Sequence, residues 1–334
     1  MAQYPLTSGG HSLRRAGDAL RSPAAVVFEE PNTVSVRAVD LTAPTDEDVR
    51  IRTVCSGIST GTERLLYEGR MPPFPGLAYP LVPGYETVGE VVWAGAKAQL
   101  PVGSRVFVPG SACFSGVQAL FGGASAELIC AEHRAVAISR EVANTDAVLM
   151  SLAATAHHIL SFAPKPDLVV GHGVLARLLL RLLPHAARDA AGVRVWEINP
   201  ARRNGQFDYP VLDPADDDGR DLRSVIDLSG DPKILNQVLP RLAHRGEVVL
   251  GGFYAEELSF AFPPAFMREA RIQVAAEFSP TDMAAVAGLI SSGALRLDGL
   301  VTHTESVGQA GSAYQQAFAD PHCLKMAIDW EAEA

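Results

Sequence analysis

The feature that most narrows the fold is a short apolar run, residues 167–170, that ends in Gly171-His172-Gly173-Val174-Leu175-Ala176 and passes straight into a leucine-rich helical stretch. Strand, glycine turn and helix in that order have a specific use. The first glycine permits the tight turn, the second lets backbone N–H groups approach a diphosphate, and the small Ala176 lets helix and strand pack closely. The helix N-terminus beyond it carries a dipole that favours an anion. Downstream, residues 193–198, 224–228 and 247–251 are apolar strand candidates separated by helical stretches. That alternation is the signature of a parallel sheet with crossover helices, so the region reads as a Rossmann-type α/β domain. Glu197 lies at the end of the second strand, 26 positions beyond Gly171. A carboxylate there accepts hydrogen bonds from ribose hydroxyls and repels a 2′-phosphate, which favours NAD over NADP. Asn199 and Arg202 follow it as further cofactor candidates, and Arg202 with Arg203 keeps a phosphate-bearing cofactor open.

At 334 residues the chain exceeds the size at which one core keeps growing, so a second domain is expected. Residues 24–28, 34–38, 48–54, 87–93, 105–109 and 126–130 are short β-rich segments punctuated by Gly and Pro, and they predict a compact β-barrel-like unit. A helix is expected over 151–162. The last portion has a helix at 281–291, a strand at 299–302, a helix at 310–319 and a strand at 324–330, and is assigned back to the first domain. The expected division is a flexible leader 1–22, a first domain 23–150, the dinucleotide domain 151–277, and a return 278–334. The acidic stretch 213–221 is expected to be a solvated loop.

Charge excludes one class of partner. A formal net charge of −10, with no Lys/Arg stripe, repels a phosphate backbone, so nucleic acid is not expected. The most apolar stretch, 168–183, is interrupted by His172, Arg177 and Arg181, and stable membrane insertion is not expected. Residues 1–22 contain no apolar h-region and do not read as a secretory signal. The four cysteines, Cys55, Cys113, Cys130 and Cys323, form no CxxC pair, which suits a reducing cytoplasm.

Three further segments carry a resemblance. Ser56-Gly-Ile-Ser-Thr-Gly-Thr-Glu63 and Val82-Pro-Gly-Tyr-Glu86 resemble the two catalytic-domain motifs of medium-chain dehydrogenases, usually written G-I-C-G-[ST]-D and G-H-E. Residues 151–160, with Thr155-Ala-His-His158, resemble the helix that opens their cofactor domain. The likeness runs from Ala24 to Trp330 and implies a GroES-like β-barrel catalytic domain joined to a Rossmann domain, with a homodimer by analogy. Within that superfamily, Glu68-Gly-Arg-Met-Pro-Pro-Phe-Pro-Gly76, Tyr79 to Gly89, Phe121-Gly-Gly-Ala124 and Ala153 to His158 are similar to a zinc-lacking branch that acts on bacteriochlorophyllides. The resemblance implies NAD-dependent oxidation of a 3-(1-hydroxyethyl) group on a magnesium tetrapyrrole to 3-acetyl. Two other readings stay open: a zinc-free reductase of quinones or enones, and a tetrapyrrole-binding protein without turnover.

In zinc-using relatives the motif positions matching Ser59, Tyr85 and Ser151 hold the catalytic ion. Neutral hydroxyls are poor zinc donors, so no metal is expected. Losing the Lewis acid forfeits stabilisation of an alkoxide, which preorganised hydrogen-bond donors must replace. Ser59, Thr62 and Tyr85 are the candidates. Thr62 matches the position at which the family places a relay hydroxyl, and His157 or His158 is the expected base, only one of the two facing the cleft. The proline-stiffened loop suggests Arg70, Met71 and Phe74 as substrate contacts, with Arg64 or Arg70 for a substrate carboxylate. Thr155 and Lys325 occupy family positions near the cofactor.

Overall fold

The computed structural model describes residues 22–73, 75–163, 165–186 and 192–332. The expected leader, apart from Ser22, lies outside the described residues, as does Phe74.

The first half is β structure. Strands β1 (Ala24–Glu30) and β2 (Thr33–Ala38) pair as an antiparallel hairpin. The long strand β3 (Asp48–Ile58) buries Val49, Ile51, Thr53 and Cys55 in alternation, as a strand with one solvated face should. From Cys55 to Ile58 every residue is buried. The short helix α1 (Thr62–Tyr67) follows. Strand β4 (Thr87–Ala94) runs back along one edge of β3, with β5 (Arg105–Val108) beyond it. Strand β6 (Glu127–Ala131) lies along the other edge of the first half of β3.

The second half alternates. Helix α2 (Met150–Phe162) leads to β7 (Leu168–Val170), α3 (Val174–Leu182), β8 (Arg194–Trp196), β9 (Val211–Leu212), β10 (Leu222–Asp227), β11 (Leu242–Leu250), α4 (Phe262–Arg268) and β12 (Arg271–Val274). The six strands form a parallel sheet in the order β9-β8-β7-β10-β11-β12. Chain direction across the sheet reverses between β7 and β10, which opens a crevice beyond Val170 and Asp227.

Helix α5 (Pro280–Ser291), strand β13 (His303–Ser306), helix α6 (Ala310–Ala319) and strand β14 (Met326–Asp329) complete the chain. Strand β14 pairs with β3 over Cys55–Ile58 and with β13, so the end of the chain closes the first sheet. Helix α5 packs on α2, so the chain rejoins the first sheet at β13, later than residue 278.

Two expectations are corrected. The strand expected at 299–302 is a turn, because Gly299 takes φ +73°; the strand begins at His303, in register with Met326. The acidic loop is not wholly solvated. Asp217 is buried and accepts hydrogen bonds from Arg194 Nη1 (2.7 Å), Trp196 Nε1 (2.7 Å) and the Gly219 N–H (2.8 Å), which lower its pKa against the effect of burial.

Candidate active site

Antiparallel register brings the two motifs together. Ser56 lies opposite Thr87, and the Gly57 N–H donates to Glu86 O at 2.8 Å, so the residues just past β3 face those just before β4. Ser59 and Tyr85 therefore meet. The Tyr85 hydroxyl donates to Ser59 Oγ at 2.6 Å, and Ser151, at the start of α2, donates from Oγ to Tyr85 O at 3.0 Å. Burial, then the nearby Glu86 charge, pushes the Tyr85 phenol far above its ordinary pKa, while hydrogen bonding with Ser59 and Thr62 pulls it back. Tyr85 is thus a phenol that keeps its proton and touches two other hydroxyls.

Beneath this set lies a buried charge cluster. Lys325, immediately before β14, forms an ion pair with Glu86, and both side chains are inaccessible to solvent. Gly57 makes room for the pair, since a Cβ there would lie 2.3 Å from Glu86 Oε2. Glu86 Oε1 has no hydrogen-bond partner. Glu63, in the first turn of α1, is fully buried; its Oε1 accepts the Ser59 N–H at 3.1 Å and its Oε2 accepts the Tyr314 hydroxyl from α6 at 2.9 Å. Burial, with the Glu86 charge adding to it, pushes the Glu63 carboxyl up to about 8, against the pull of Lys325 and the two hydrogen bonds. Glu63 and Tyr314 were not among the candidates read from the sequence. Glu63 closes the first motif, next to Thr62, and that adjacency was the available signal; nothing local points to Tyr314.

The glycine turn leaves β7 with Gly171 at φ +91°, where only glycine fits easily, and a Cβ there would lie 3.2 Å from Leu228 O. Gly173 caps α3 and has open space where a Cβ would stand, as close approach of a ligand to the backbone requires. Val174, Leu175 and Ala176 form the first turn of α3, with Ala176 buried. Glu197 stands just past β8, its Oε2 accepting the His172 N–H at 2.9 Å and its Oε1 the Asn199 N–H at 2.8 Å. The buried His172 ring donates from Nδ1 to Arg202 O at 2.8 Å, packs edge-on against the stacked rings of Phe207 and Tyr209, and has its pKa lowered to about 4 by burial. It supports the loop from below. Asp227, at the end of β10, accepts from the Tyr254 hydroxyl and from Ser229 Oγ at 2.7 Å.

Other candidates are placed differently from expectation. Lys325, expected near the cofactor, is buried in an ion pair with Glu86. The Asn199 side chain caps a short helix at Ala201 N (3.0 Å) and donates to Pro321 O (3.0 Å). Arg202 Nη2 donates to Cys323 O at 3.4 Å, and Arg203 Nη1 donates to Asp213 Oδ2 at 2.7 Å and to Glu197 O at 2.9 Å, so the Arg203 guanidinium beside Glu197 is already paired. Thr155 Oγ1 donates to Ser151 O at 2.9 Å. Arg64 and Arg70 share Glu68, at 2.7 and 3.0 Å, and Arg70 also lies 3.9 Å from Glu256, across the mouth between the domains. Met71 is buried.

The histidines correct a clear expectation. One ring was expected to act as the base; both are instead tied to one carboxylate, His157 Nδ1 donating to Asp282 Oδ1 at 2.7 Å and His158 Nδ1 to Asp282 Oδ2 at 2.9 Å. Two adjacent helical residues reach one carboxylate because Asp282, in the first turn of α5, sits between their directions. Asp282 is itself fixed by a capping box with Ser279. Neither ring forms a hydrogen bond to Ser59, Thr62 or Tyr85.

The donor set does not fit a zinc ion. The three motif positions offer two aliphatic hydroxyls and a phenol held protonated, already bonded to one another or to backbone. Among the described residues no three His, Cys, Asp or Glu side chains are grouped to hold a metal. The crevice fits a dinucleotide: a glycine turn, a free helix N-terminus and a carboxylate at the next strand end lie together.

Comparison with known proteins agrees with this geometry. Residues 45–140 match the alcohol dehydrogenase GroES-like domain. The 2-desacetyl-2-hydroxyethyl bacteriochlorophyllide A dehydrogenase of Cereibacter sphaeroides is 48% identical over 317 residues, covering 93% of this chain and 99% of that protein. Its namesake from Rhodobacter capsulatus is 48% identical over 309 residues, covering 92% and 98%. The chain belongs to the bacteriochlorophyllide A dehydrogenase family. The fold of the chain is that of alcohol dehydrogenases: a protein of Escherichia coli CFT073 described as a short chain alcohol dehydrogenase and solved with NADH superposes with a TM-score of 0.78 at 20% identity, over 92% of this chain and 99% of that one.

Proposed function

We propose that the enzyme oxidises the hydroxyethyl substituent of a bacteriochlorophyllide to acetyl, in bacteriochlorophyll synthesis, using NAD and no metal. The observation that carries this reading is the three-hydroxyl chain standing where a metal would otherwise stabilise an alkoxide, in a chain nearly half identical to two enzymes named for that substrate. A quinone or enone reductase, or a carrier without turnover, has no comparable support.

The crevice formed by Gly171, Gly173 and Glu197 would hold the nicotinamide cofactor, which when bound would supply the acceptor for a hydride from the carbinol carbon. The remaining chemistry falls to the chain. The Tyr85 hydroxyl donates to Ser59 Oγ, which leaves the Ser59 proton directed onward to the substrate oxygen, and Thr62 bears on Tyr85 from behind. Aligned in that sense, the hydroxyls steady the negative oxygen. For the carbinol proton to leave, each hydroxyl turns about its C–O bond so that the carbinol O–H donates to Ser59, Ser59 to Tyr85 and Tyr85 to Thr62, whose own proton passes to water from a half-buried position. Because its phenol stays protonated, Tyr85 passes a proton on without serving as the resting base. Glu63 fixes the Ser59 backbone, and Glu86 with Lys325 supports the strand beneath.

The preference for NAD rests on Glu197, whose carboxylate repels a 2′-phosphate, and on the absence of a free guanidinium beside it, since Arg203 is held by Asp213. Arg70, at the mouth of the cleft, is the candidate partner of a substrate carboxylate. Cytoplasmic location rests on four buried free cysteines. Among the described residues no helix is long and apolar enough to cross a membrane. A homodimer is proposed through β12, whose outer edge is unpaired, and the apolar face beside it: Phe262, Phe266, Met267 and Val274 are each more than 60% exposed.

Incubation with the hydroxyethyl bacteriochlorophyllide and NAD tests the reading. A red shift of the long-wavelength band, as the new carbonyl joins the ring conjugation, with one NADH per pigment is expected. An unchanged spectrum rejects it.

A further inference from the structure

We infer that His158 supplies an axial ligand to the central magnesium of the pigment and so sets its position in the cleft, an inference that rests on the substrate class proposed above. Ser151, Thr155, His158 and Phe162 are spaced at i, i+4, i+7 and i+11 and share one face of α2. Burial falls along that stripe: Ser151 is fully buried against Tyr85, Thr155 and His158 are partly exposed, and Phe162 reaches the surface. His158 lies about 10 Å along the helix from Ser151. The stripe thus leads outward from the hydroxyl set.

Its middle lies on the crevice side of the sheet. The Ile159 side chain is so close to Gly251, just past β11, that a Cβ there would stand 2.7 Å from it. Asp282 follows the carboxyl end of β12 on the same side. In the proposed pose a pigment with its carbinol at Ser59 extends along this face, with its ring over the middle of the stripe.

The chemistry of the histidine suits that place. Its Nδ1–H is committed to the buried carboxylate of Asp282, so the lone pair is on Nε2. A carboxylate behind an imidazole is the usual means of orienting a metal-binding histidine and strengthening it as a donor. The ring also rests edge-on against Phe162, 5.1 Å between centroids, which limits its rotation. No three-ligand group is present among the described residues, and none is required: the four ring nitrogens of a bacteriochlorin already hold magnesium equatorially and leave only an axial position. His157, about 100° around the helix, shares Asp282 but is off the stripe, and serves to orient that carboxylate.

The test compares the magnesium pigment with its magnesium-free counterpart in the wild type, in His158→Gln, which keeps an N–H for Asp282, and in His158→Gly with and without free imidazole. The wild type is expected to show a KM about tenfold lower for the magnesium pigment, a difference on the scale of lost metal-site contacts. His158→Gln should bring the two KM values together, and imidazole should restore the difference in His158→Gly. Equal shifts for both pigments, or no shift, overturn the inference and leave the oxidation itself standing. Failure of the wild type to oxidise either pigment overturns both.

Discussion

A superfamily position that usually binds a metal can be refilled with hydroxyls only if their protons are ordered, and at the scale of single residues that ordering is visible. Tyr85 donates to Ser59, Thr62 bears on Tyr85, and burial keeps the phenol protonated. Thr62→Val breaks the outward end of the chain: kcat should fall by roughly 10²-fold or more while NADH affinity, read by fluorescence, is unchanged. Equal turnover removes Thr62 from the mechanism. Glu63 gives a second prediction. Its carboxyl is raised from 4.5 to about 8, so the native state holds this proton more tightly than the unfolded chain does. The corresponding stability is complete below pH 4.5 and is lost as pH rises through about 8. Glu63→Gln carries no titratable group, so its urea midpoint should fall less between pH 5 and pH 8 than that of the wild type; an equally steep fall contradicts the assignment. The hydroxyls were legible in the sequence because two local motifs contain them. The Glu63–Tyr314 bond was not, because its partners are 251 positions apart and only packing of α6 on α1 joins them. The histidines were legible as a pair but not in their role, since Asp282 lies 125 positions from His157.

At the scale of elements, register does most of the positioning. The glycine turn after β7 and the acidic end of β8 are read from spacing alone, because the crossover unit is local and its glycines have backbone duties. The strand shifted from 299–302 to β13 was misread because apolar Leu300 and Val301 suggest a strand, whereas the left-handed Gly299 turns the chain and pairing with β14 selects His303–Ser306. Where β3, β4 and β14 converge, Gly57 is the one residue whose missing Cβ lets Glu86 and Lys325 meet. Gly57→Ala places a methyl group 2.3 Å from Glu86 Oε2 and 3.1 Å from Lys325 Cε. Overpacking of this kind costs about 1–3 kcal/mol, so the denaturant midpoint should drop and the Ser59–Tyr85 contact should be displaced with it. A variant with wild-type stability and turnover would show that the ion pair has slack.

At the scale of the whole molecule, the chain combines parts built by different rules: a β half closed by the end of the chain, and a six-stranded parallel sheet whose switch point is the proposed place of the dinucleotide. The exposed edge of that sheet is where a second copy is expected. Phe266→Asp with Met267→Lys should convert a dimer to a monomer by light scattering without loss of helix signal; an unchanged mass places the interface elsewhere. The central claim is that hydride leaves a pigment carbinol whose oxygen is steadied by side-chain hydroxyls and not by a resident ion. Single-turnover oxidation of the hydroxyethyl bacteriochlorophyllide by chelator-treated enzyme tests it most directly. The account predicts an undiminished rate, one NADH for each acetyl product, and loss of that rate in Tyr85→Phe; a rate abolished by the chelator and restored by zinc would contradict it.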